Sequence, residues 1–367
     1  MMDLPAPVSP VSTLRPASKS IDSASMMARS LMARVTSIVW DLRRAAVAGS
    51  LHTIGPRARL SRAPTLSTLD GERALWEGWR ARRQEGVMAN LTQDTGTIEG
   101  LAGVELFYRW DPVTDPKGAV VIVHGLAEHS GRYAHVVAAL NAAGYSCMGV
   151  DLRGHGRSSG RRVFLRRFSE YVDDVQRAVR ALRRREPEAP LFVIGHSMGG
   201  VVALLYAIEH GPTLAGVVLS APGLRAKIPV PPWKDALGRL MSKVWPTLAI
   251  PTGIPPRDVS RDPEVVRAYE ADPLVTKKAT ARWYTEFLGA QDEALRGAPT
   301  VTVPALVLAP LGDRVVDPEC YHQVHAALGS KDKTLKLYPG LFHEVFNEPE
   351  KDEALAVVTA WLDGHAR

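Results

Sequence analysis

One serine lies in a pentapeptide that is typical of nucleophile turns. Residues Gly195 to Gly199 read Gly-His-Ser-Met-Gly, directly after the apolar stretch Leu191–Ile194 and directly before an apolar segment that begins at Met198. In the G-x-S-x-G arrangement, a sharp strand-to-helix turn lifts the serine Oγ above the sheet edge, and only small residues fit two positions to either side. The pattern therefore predicts that Ser197 is a nucleophile.

A serine hydroxyl needs a general base, and that base needs a carboxylate to orient it. In this arrangement the chain order is serine, acid, histidine, and both partners follow later strands. Asp313 comes shortly after the apolar stretch Ala305–Ala309, and His343 comes shortly after Thr334–Tyr338. We predict Asp313 as the acid and His343 as the base. Asp317 is the alternative acid, although its place before a proline favours a helix-capping role.

Nucleophilic attack creates an oxyanion, which backbone N–H groups must stabilise. One donor is expected to be Met198, which follows the nucleophile, and the other to be Leu126, in the loop after the strand that ends at His124. Motifs for dinucleotides, for nucleotide phosphates and for zinc are incomplete or missing in the sequence. We therefore expect no metal and no cofactor.

The composition is that of a soluble globular protein. The chain has 367 residues, of which 46% are apolar and 23% charged, and this excludes collagen-like, wholly disordered and disulfide-scaffold proteins. No run of 18 uncharged apolar residues occurs, so we predict no membrane span. Cys147 and Cys320 are the only cysteines; one disulfide is conceivable, but a reduced cytoplasmic protein is the simpler interpretation.

The net charge of +6 comes from the beginning of the chain. Residues 1–90 contain 13 Lys and Arg against 7 Asp and Glu, whereas the remaining residues are balanced. A nucleic-acid enzyme usually carries its positive charge on the working domain, so we do not expect a nucleic-acid partner.

After Gly100, short β-branched stretches alternate with helical segments, which predicts an open, mostly parallel α/β sheet. The predicted strands are Val104–Trp110, Ala119–His124, Tyr145–Asp151, Leu191–Gly195, Gly216–Ser220, Ala305–Ala309 and Thr334–Tyr338. The predicted helices are Tyr133–Ala143, Ser169–Arg185, Met198–His210, Pro318–Leu328 and Glu350–Leu362.

Residues 222–302 interrupt this alternation and are too long for a simple connection, so we predict that they form a cap or lid. Within them, apolar side chains recur at helical spacing: Trp233, Leu237, Leu240, Met241, Val244 and Trp245. Two interpretations stay open. The residues belong to a helix packed onto the body of the protein, or they form an apolar rim that touches lipid or lines an acyl channel.

The first 90 residues form a basic extension. Residues 1–24 are rich in Pro, Ser and Ala and are expected to be disordered. Ser25–Ala48 is predicted to be helical, and a basic amphipathic helix on a membrane surface or a transit peptide are both open for it. Three interpretations remain: an upstream extension without function, with translation starting at Met88; a docked helix or linker; or a membrane-binding or targeting element.

Several segments resemble monoacylglycerol lipases, in order along roughly residues 95–365. They are the oxyanion loop His124–Tyr133, the turn Asp151–Ser158, the nucleophile turn Gly195–Gly200, the cap stretch Ser260–Leu274 and the histidine loop Tyr338–Glu348. The oxyanion and nucleophile motifs also occur in lysophospholipases and related esterases, and residues 1–90 depart from the pattern.

The resemblance implies an α/β-hydrolase fold with about eight strands. It divides the chain into the extension 1–90, a core of 91–221 and 303–367, and the cap 222–302. It implies Ser197, Asp313 and His343 as the catalytic residues and Leu126 and Met198 as the oxyanion hole.

The implied reaction is hydrolysis of a monoacylglycerol, a lipid ester, to a fatty acid and glycerol. A broader carboxylesterase or a lysophospholipase with the same triad is the alternative. A non-catalytic binding module is disfavoured because all three catalytic residues are present.

Apolar cap residues could enclose one acyl chain, and we expect Trp233, Leu237 and Met241 to contact the substrate. Glu128 could bind the free glycerol hydroxyls or serve only as a structural carboxylate. We expect a cytoplasmic protein, with peripheral membrane contact through the cap or the N-terminal helix left open. The sequence does not determine the oligomeric state.

Overall fold

Eight strands form one mixed sheet in the computed structural model, which describes residues 93–366. The predictions for the basic extension therefore lie outside the described residues. The strands of this sheet are β1 (Asp94–Glu99), β2 (Glu105–Asp111), β3 (Gly118–Val123), β4 (Tyr145–Val150), β5 (Leu191–His196), β6 (Gly216–Ser220), β9 (Ala305–Pro310) and β10 (Lys333–Tyr338). Two further strands, β7 (Ala249–Pro251) and β8 (Lys278–Thr280), form a separate antiparallel ribbon.

The sheet runs in the order β1-β2-β4-β3-β5-β6-β9-β10. Strand β2 pairs antiparallel with β1 and with β4, and all the other pairs are parallel. The prediction of a mostly parallel sheet of about eight strands is confirmed. The parallel arrangement brings the carboxyl ends of β3, β5, β9 and β10 to one edge of the sheet.

The central strands are apolar on both faces because helices cover both sides of the sheet. Along β3, Val121 and Val123 belong to one hydrophobic cluster, whereas Val120 and Ile122 belong to a second cluster on the opposite face. This separation follows from the two-residue period of a strand.

Eight α-helices occur in the described residues. They are α1 (Ala134–Ala142), α2 (Ser169–Arg185), α3 (Met198–His210), α4 (Pro232–Val244), α5 (Pro263–Ala271), α6 (Ala281–Gly297), α7 (Glu319–Ala327) and α8 (Lys351–His365). Helices α1 and α8 contribute to the cluster on one face of the sheet, and α2, α3 and α7 to the cluster on the other. No helix of the described residues is both long enough and apolar enough to cross a membrane.

Residues 222–302, the cap segment, lie in the chain between β6 and β9 and contain α4, α5, α6 and the β7–β8 ribbon. Sequence reasoning placed helical pieces in this segment but did not predict the ribbon, whose strands have three residues each. It also missed the edge strand β1. Cys147 and Cys320 are both buried and free.

Candidate active site

The nucleophile turn joins β5 to α3. Ser197 lies between them with φ 54° and ψ −118°, a backbone conformation with positive φ that residues other than glycine rarely adopt. A Cβ at Gly195 would collide with the backbone of Gly199, and a Cβ at Gly199 would collide with the carbonyl group of Val123. The surrounding structure therefore holds the strained serine at the carboxyl end of the sheet and requires glycine on both sides of it.

The structure brings together the three residues predicted as a triad. The Nε2 atom of His343 lies 2.8 Å from the Oγ of Ser197. The Nδ1 atom of His343 lies 2.7 Å from the Oδ2 of Asp313. Asp313 follows β9 and His343 follows β10, so the parallel sheet places both loops beside the serine turn. This chain of hydrogen bonds has the geometry that activates a serine hydroxyl.

The electrostatic interactions within this trio favour an ionised Asp313 and a more basic His343. Burial alone would raise the pKa of Asp313, but the His343 charge and several hydrogen bonds lower it below its ordinary value of 3.8. Burial disfavours the imidazolium of His343, yet Asp313 holds the pKa of His343 above its ordinary value of 6.5. His343 is therefore a stronger base than an isolated histidine.

Two backbone N–H groups beside the serine are available to an oxyanion. Met198 is the first residue of α3, and Leu126 lies in the loop after β3. Among the hydrogen bonds of residues 93–366, neither N–H donates to a protein acceptor. Two unpaired donors, of which Met198 lies at the start of a helix, suit a developing negative charge.

Glu128 is buried, and protein groups engage both of its carboxylate oxygens. One oxygen accepts from the Gly125 N–H at 2.5 Å and from the Tyr133 hydroxyl at 2.8 Å, and the other accepts from Arg132. Burial would raise the pKa of Glu128, but Arg132 and other neighbours lower it to about 2. This arrangement favours the structural interpretation of Glu128, as a carboxylate that holds the loop containing Leu126.

Arg132 joins the oxyanion loop to the histidine loop. Besides Glu128, it donates two hydrogen bonds, each 2.7 Å long, to the two oxygens of Glu344, the residue after His343. Its guanidinium carbon also lies 4.8 Å from the ring centre of Tyr269 in the cap segment. Sequence reasoning missed this role, because Arg132 and Glu344 are 212 positions apart.

We expect Arg132→Met to lower the free energy of unfolding by about 3–5 kcal/mol at neutral pH, because it leaves two buried carboxylates without their cation. Without Arg132, burial raises the pKa of Glu128 above its value in the unfolded chain, so the loss grows with rising pH and shrinks near about pH 5. Urea unfolding at both pH values measures this difference.

The control for this variant is Arg267→Met, which removes a cation from an exposed pair with Glu264 on α5. Exposed pairs contribute little, so the control should unfold almost as the wild type does at either pH. Equal destabilisation of the two variants would contradict the buried-clamp interpretation.

The cap segment is hydrogen-bonded to both loops of the site. The Thr276 N–H donates to the Ala127 carbonyl at 2.9 Å, and Asp272 lies 2.8 Å from the Nε2 of His129. On the other side, the Glu344 N–H donates to the Val259 carbonyl at 2.8 Å. These residues of the cap segment therefore form part of the frame around the site.

The alternative acid Asp317 and the nearby histidines His124 and His196 take no part in the hydrogen-bond chain of the trio. Buried His124 accepts from the Leu152 N–H at 3.0 Å. Burial lowers the pKa of His196 to about 4, so that ring is neutral at physiological pH. Asp317 accepts from the Glu319 N–H at 3.2 Å, as expected of a residue at a helix start. No group of three or more metal-ligating side chains occurs in the described part of the chain.

The predicted substrate contacts lie on α4. Trp233 and Leu237 are 48% and 40% exposed, and Met241 is half-buried. A different aromatic residue lies near the serine turn. The Phe287 ring and the Ser197 backbone are each 3.3 Å from the position that a Cβ on Gly223 would occupy. Sequence reasoning did not single out Phe287, which belongs to α6.

Comparison with known proteins adds a family context. A family model described as "Serine aminopeptidase, S33" matches residues 114–350. The monoacylglycerol lipase of Mycolicibacterium smegmatis is 39% identical over 76% of this chain and 100% of that protein. Phospholipase YtpA of Bacillus subtilis is 31% identical over 68% of this chain and 96% of its own length. The crystal structure of Paleococcus ferrophilus monoacylglycerol lipase matches with a TM-score of 0.65 and 31% identity, over 71% of this chain and 99% of that one.

Proposed function

The chain belongs to the serine aminopeptidase S33 family of α/β-hydrolases and, within it, to the monoacylglycerol lipases, and from this premise we propose that it hydrolyses monoacylglycerols to a fatty acid and glycerol. Ser197 is the proposed nucleophile, His343 the base and Asp313 the acid. Residues 91–221 and 303–367 form the proposed catalytic core, and residues 222–302 the cap.

In the proposed reaction, His343 removes the proton from Ser197 as the Oγ attacks the ester carbonyl carbon. The Leu126 and Met198 N–H groups stabilise the oxyanion of the tetrahedral intermediate. His343 then gives the proton to the departing glycerol oxygen, which leaves an acyl-enzyme. A water molecule, activated by the same histidine, releases the fatty acid and restores the serine.

The observation that carries the hydrolase proposal is the unbroken hydrogen-bond chain from Ser197 through His343 to Asp313, with contacts of 2.8 and 2.7 Å. The substrate proposal has separate support, because the chain is 39% identical to a monoacylglycerol lipase over the whole length of that protein. The relative named as a phospholipase keeps a lysophospholipase or broader carboxylesterase as the alternative.

The deciding assay measures glycerol release from monoolein, with diolein and a lysophospholipid as competing substrates. Fast turnover of monoolein with little turnover of diolein is the expected result. Faster turnover of the lysophospholipid or of an unrelated ester would retain the serine hydrolase mechanism and replace the substrate.

We also propose that the outer face of α4 contacts a lipid surface. The polar side of this helix faces the protein: Asp235 accepts from the Tyr284 hydroxyl at 2.9 Å, and the buried Ser242 hydroxyl lies 2.7 Å from that of Thr285. The apolar side is turned outward, with Leu240 and Val244 exposed to 53% and 65%. An amphipathic helix packed on its polar side exposes the surface that a membrane would cover.

The positive charge around α4 favours membranes with anionic lipids. Residues 225–250 contain five Lys and Arg but one acidic residue. Anionic lipid headgroups attract such a basic segment. The proposal is therefore a peripheral contact with anionic membranes, by an otherwise cytoplasmic protein whose free, buried cysteines fit a reducing compartment.

Replacing both Leu240 and Val244 with Asp should weaken binding to phosphatidylglycerol vesicles by at least about tenfold, because apolar area and charge complementarity are both lost. Vesicle co-sedimentation measures binding. Hydrolysis of a short water-soluble ester should stay near the wild-type rate, because neither residue belongs to the proposed catalytic machinery.

The matched control changes Leu101 and Leu337 to Asp, since these leucines are 38% exposed and lie outside the cap segment. Equal vesicle binding by the two double variants would refute the α4 contact. Deleting residues 1–87 in parallel tests the other proposed contact, the N-terminal helix, which fails if binding is unchanged.

A further inference from the structure

A buried tyrosine donates to the carboxylate of Asp313. Tyr321 lies in the first turn of α7, and its side chain is fully buried. Its hydroxyl donates to the Oδ2 of Asp313 at 2.5 Å, a short distance that is typical of a charge-assisted hydrogen bond. Neither the sequence motifs nor the proposed reaction gives this residue a role.

Each carboxylate oxygen of Asp313 has two hydrogen-bond partners, but the two pairs differ in kind. Oδ1 accepts from the backbone N–H groups of Val315 and Val316, at 2.7 and 2.8 Å. Oδ2 accepts from both Tyr321 and the Nδ1 of His343. The two backbone bonds already fix the position of the carboxylate. The tyrosine hydroxyl instead shares the one oxygen through which Asp313 acts on the histidine.

We propose that Tyr321 is a positioning residue that sets the basicity of His343 by sharing Oδ2 of Asp313; this inference rests on the proposed catalytic roles of His343 and Asp313. A donor on the shared oxygen withdraws negative charge from it, so the carboxylate stabilises the imidazolium less strongly. Tyr321 thereby keeps His343 basic enough to accept the serine proton and acidic enough to release it to the leaving group.

The surroundings keep Tyr321 in its donor form. Burial and the negative charge of Asp313 raise the pKa of Tyr321 well above its ordinary value of 10, so the hydroxyl stays protonated throughout an assay range. Cys320 and Asp317 also face it, and burial raises the pKa of Cys320 to about 12, so Cys320 adds no charge.

Other charged or titratable groups act on His343 but do not touch the shared oxygen. The ring of His196 is centred 4.9 Å from that of His343, and its lowered pKa leaves it neutral. Glu344 and Glu128 add negative charge that favours the imidazolium. These groups stay in place when only the Tyr321 hydroxyl is removed, so a change in the His343 titration reports on that hydroxyl.

The test is the pH dependence of kcat/KM of Tyr321→Phe in the full chain, on a water-soluble ester. Activity requires neutral His343, so it falls as pH drops through the pKa of His343. Without the competing donor the pKa of His343 rises. The acid limb, which is the low-pH side of the kcat/KM profile, should therefore move to higher pH by about 0.5–1 unit. At pH values below the pKa of His343, kcat/KM of the variant should then be about 3- to 10-fold lower than that of the wild type, whereas kcat/KM on the high-pH plateau changes much less.

The matched control is Tyr145→Phe. The Tyr145 hydroxyl also donates to a carboxylate, Asp363, at 2.9 Å, but Tyr145 begins β4, at the opposite end of the sheet from the site. Its acid limb should coincide with that of the wild type. An unmoved limb in Tyr321→Phe, or one that moves down, would overturn the proposal even if the plateau falls, because a purely structural loss lowers activity at every pH.

A second variant covers the case in which Tyr321→Phe folds poorly. Site-specific replacement of Tyr321 by 3-fluorotyrosine preserves the packing and makes the hydroxyl a stronger donor, so the limb should move down. A limb that does not move down refutes the inference.

Failure of the proposed function is separable from failure of this inference. If the wild type does not hydrolyse esters, or does so without Ser197, the catalytic assignment fails. The His343 titration can then be followed by nuclear magnetic resonance, in which Tyr321→Phe should still raise the pKa.

Discussion

Ser197→Ala should lower kcat/KM for monoolein by at least about 10⁴-fold while the protein stays folded. In the proposed reaction the Oγ of Ser197 forms the acyl-enzyme, and the proposed base His343 cannot act on a methyl group. Residual hydrolysis would come from the oxyanion donors and substrate binding alone. Glycerol release measures the loss, and a thermal melt close to that of the wild type shows that the fold is intact.

A buried serine away from the site is the control for this experiment. Ser330 bonds to the Asp332 carbonyl at 2.9 Å, and Ser330→Ala should retain nearly full activity. A fluorophosphonate, which labels activated serines, should modify the wild type and Ser330→Ala but not Ser197→Ala. Turnover retained by Ser197→Ala would disprove the nucleophile assignment.

Asp313→Asn should lower kcat by about 10³- to 10⁴-fold. An asparagine amide keeps the size of the side chain but donates where the carboxylate accepted. The Nδ1 of His343 then becomes the acceptor, and the proton moves to Nε2, which can no longer receive the serine proton. Pre-steady-state acylation with a chromogenic ester measures the effect on the step that needs the base.

The matched variant Asp317→Asn separates the two candidate acids. Asp317 bonds to Arg225 at 3.0 Å and to a helix N–H, both at a partly exposed site, and asparagine can still cap the helix. We expect less than a few-fold change in kcat. A large loss in Asp317→Asn together with a small loss in Asp313→Asn would reverse the assignment of the acid.

The nucleophile turn was predictable because its evidence is local. A glycine-flanked serine between an apolar strand and an apolar helix predicts the backbone path, which the structure has, and the proposed nucleophilic role. The proposed acid and base were predicted from their position after later strands, and the parallel topology does place both beside the serine turn. The predicted bounds of Ser169–Arg185 and Met198–His210 match helices α2 and α3, whose apolar residues are regularly spaced or continuous.

The features that sequence reasoning missed depend on distant contacts or on weak local patterns. Strand β1 is a mostly exposed edge strand with the sequence Asp-Thr-Gly-Thr-Ile-Glu, so no apolar run marks it. Arg132 gains its meaning from Glu344, 212 positions away. Tyr321 looks like one more apolar residue of an amphipathic helix until the fold brings it to Asp313. On α4, periodicity identified a helix but could not decide which side faces water.

The unequal attachment of the cap segment has a consequence for how such enzymes diversify. Val259, Asp272 and Thr276 are bonded to the loops that hold the site, whereas α4 is bonded to α6 through Tyr284 and Thr285. One part of the cap segment is therefore bonded to the loops of the site, whereas α4 is bonded within the cap segment itself. We therefore expect that residues around α4 can be substituted, shortened or grafted from a relative to change which surfaces and acyl chains the proposed enzyme accepts, without altering the proton transfers proposed for Ser197 and His343.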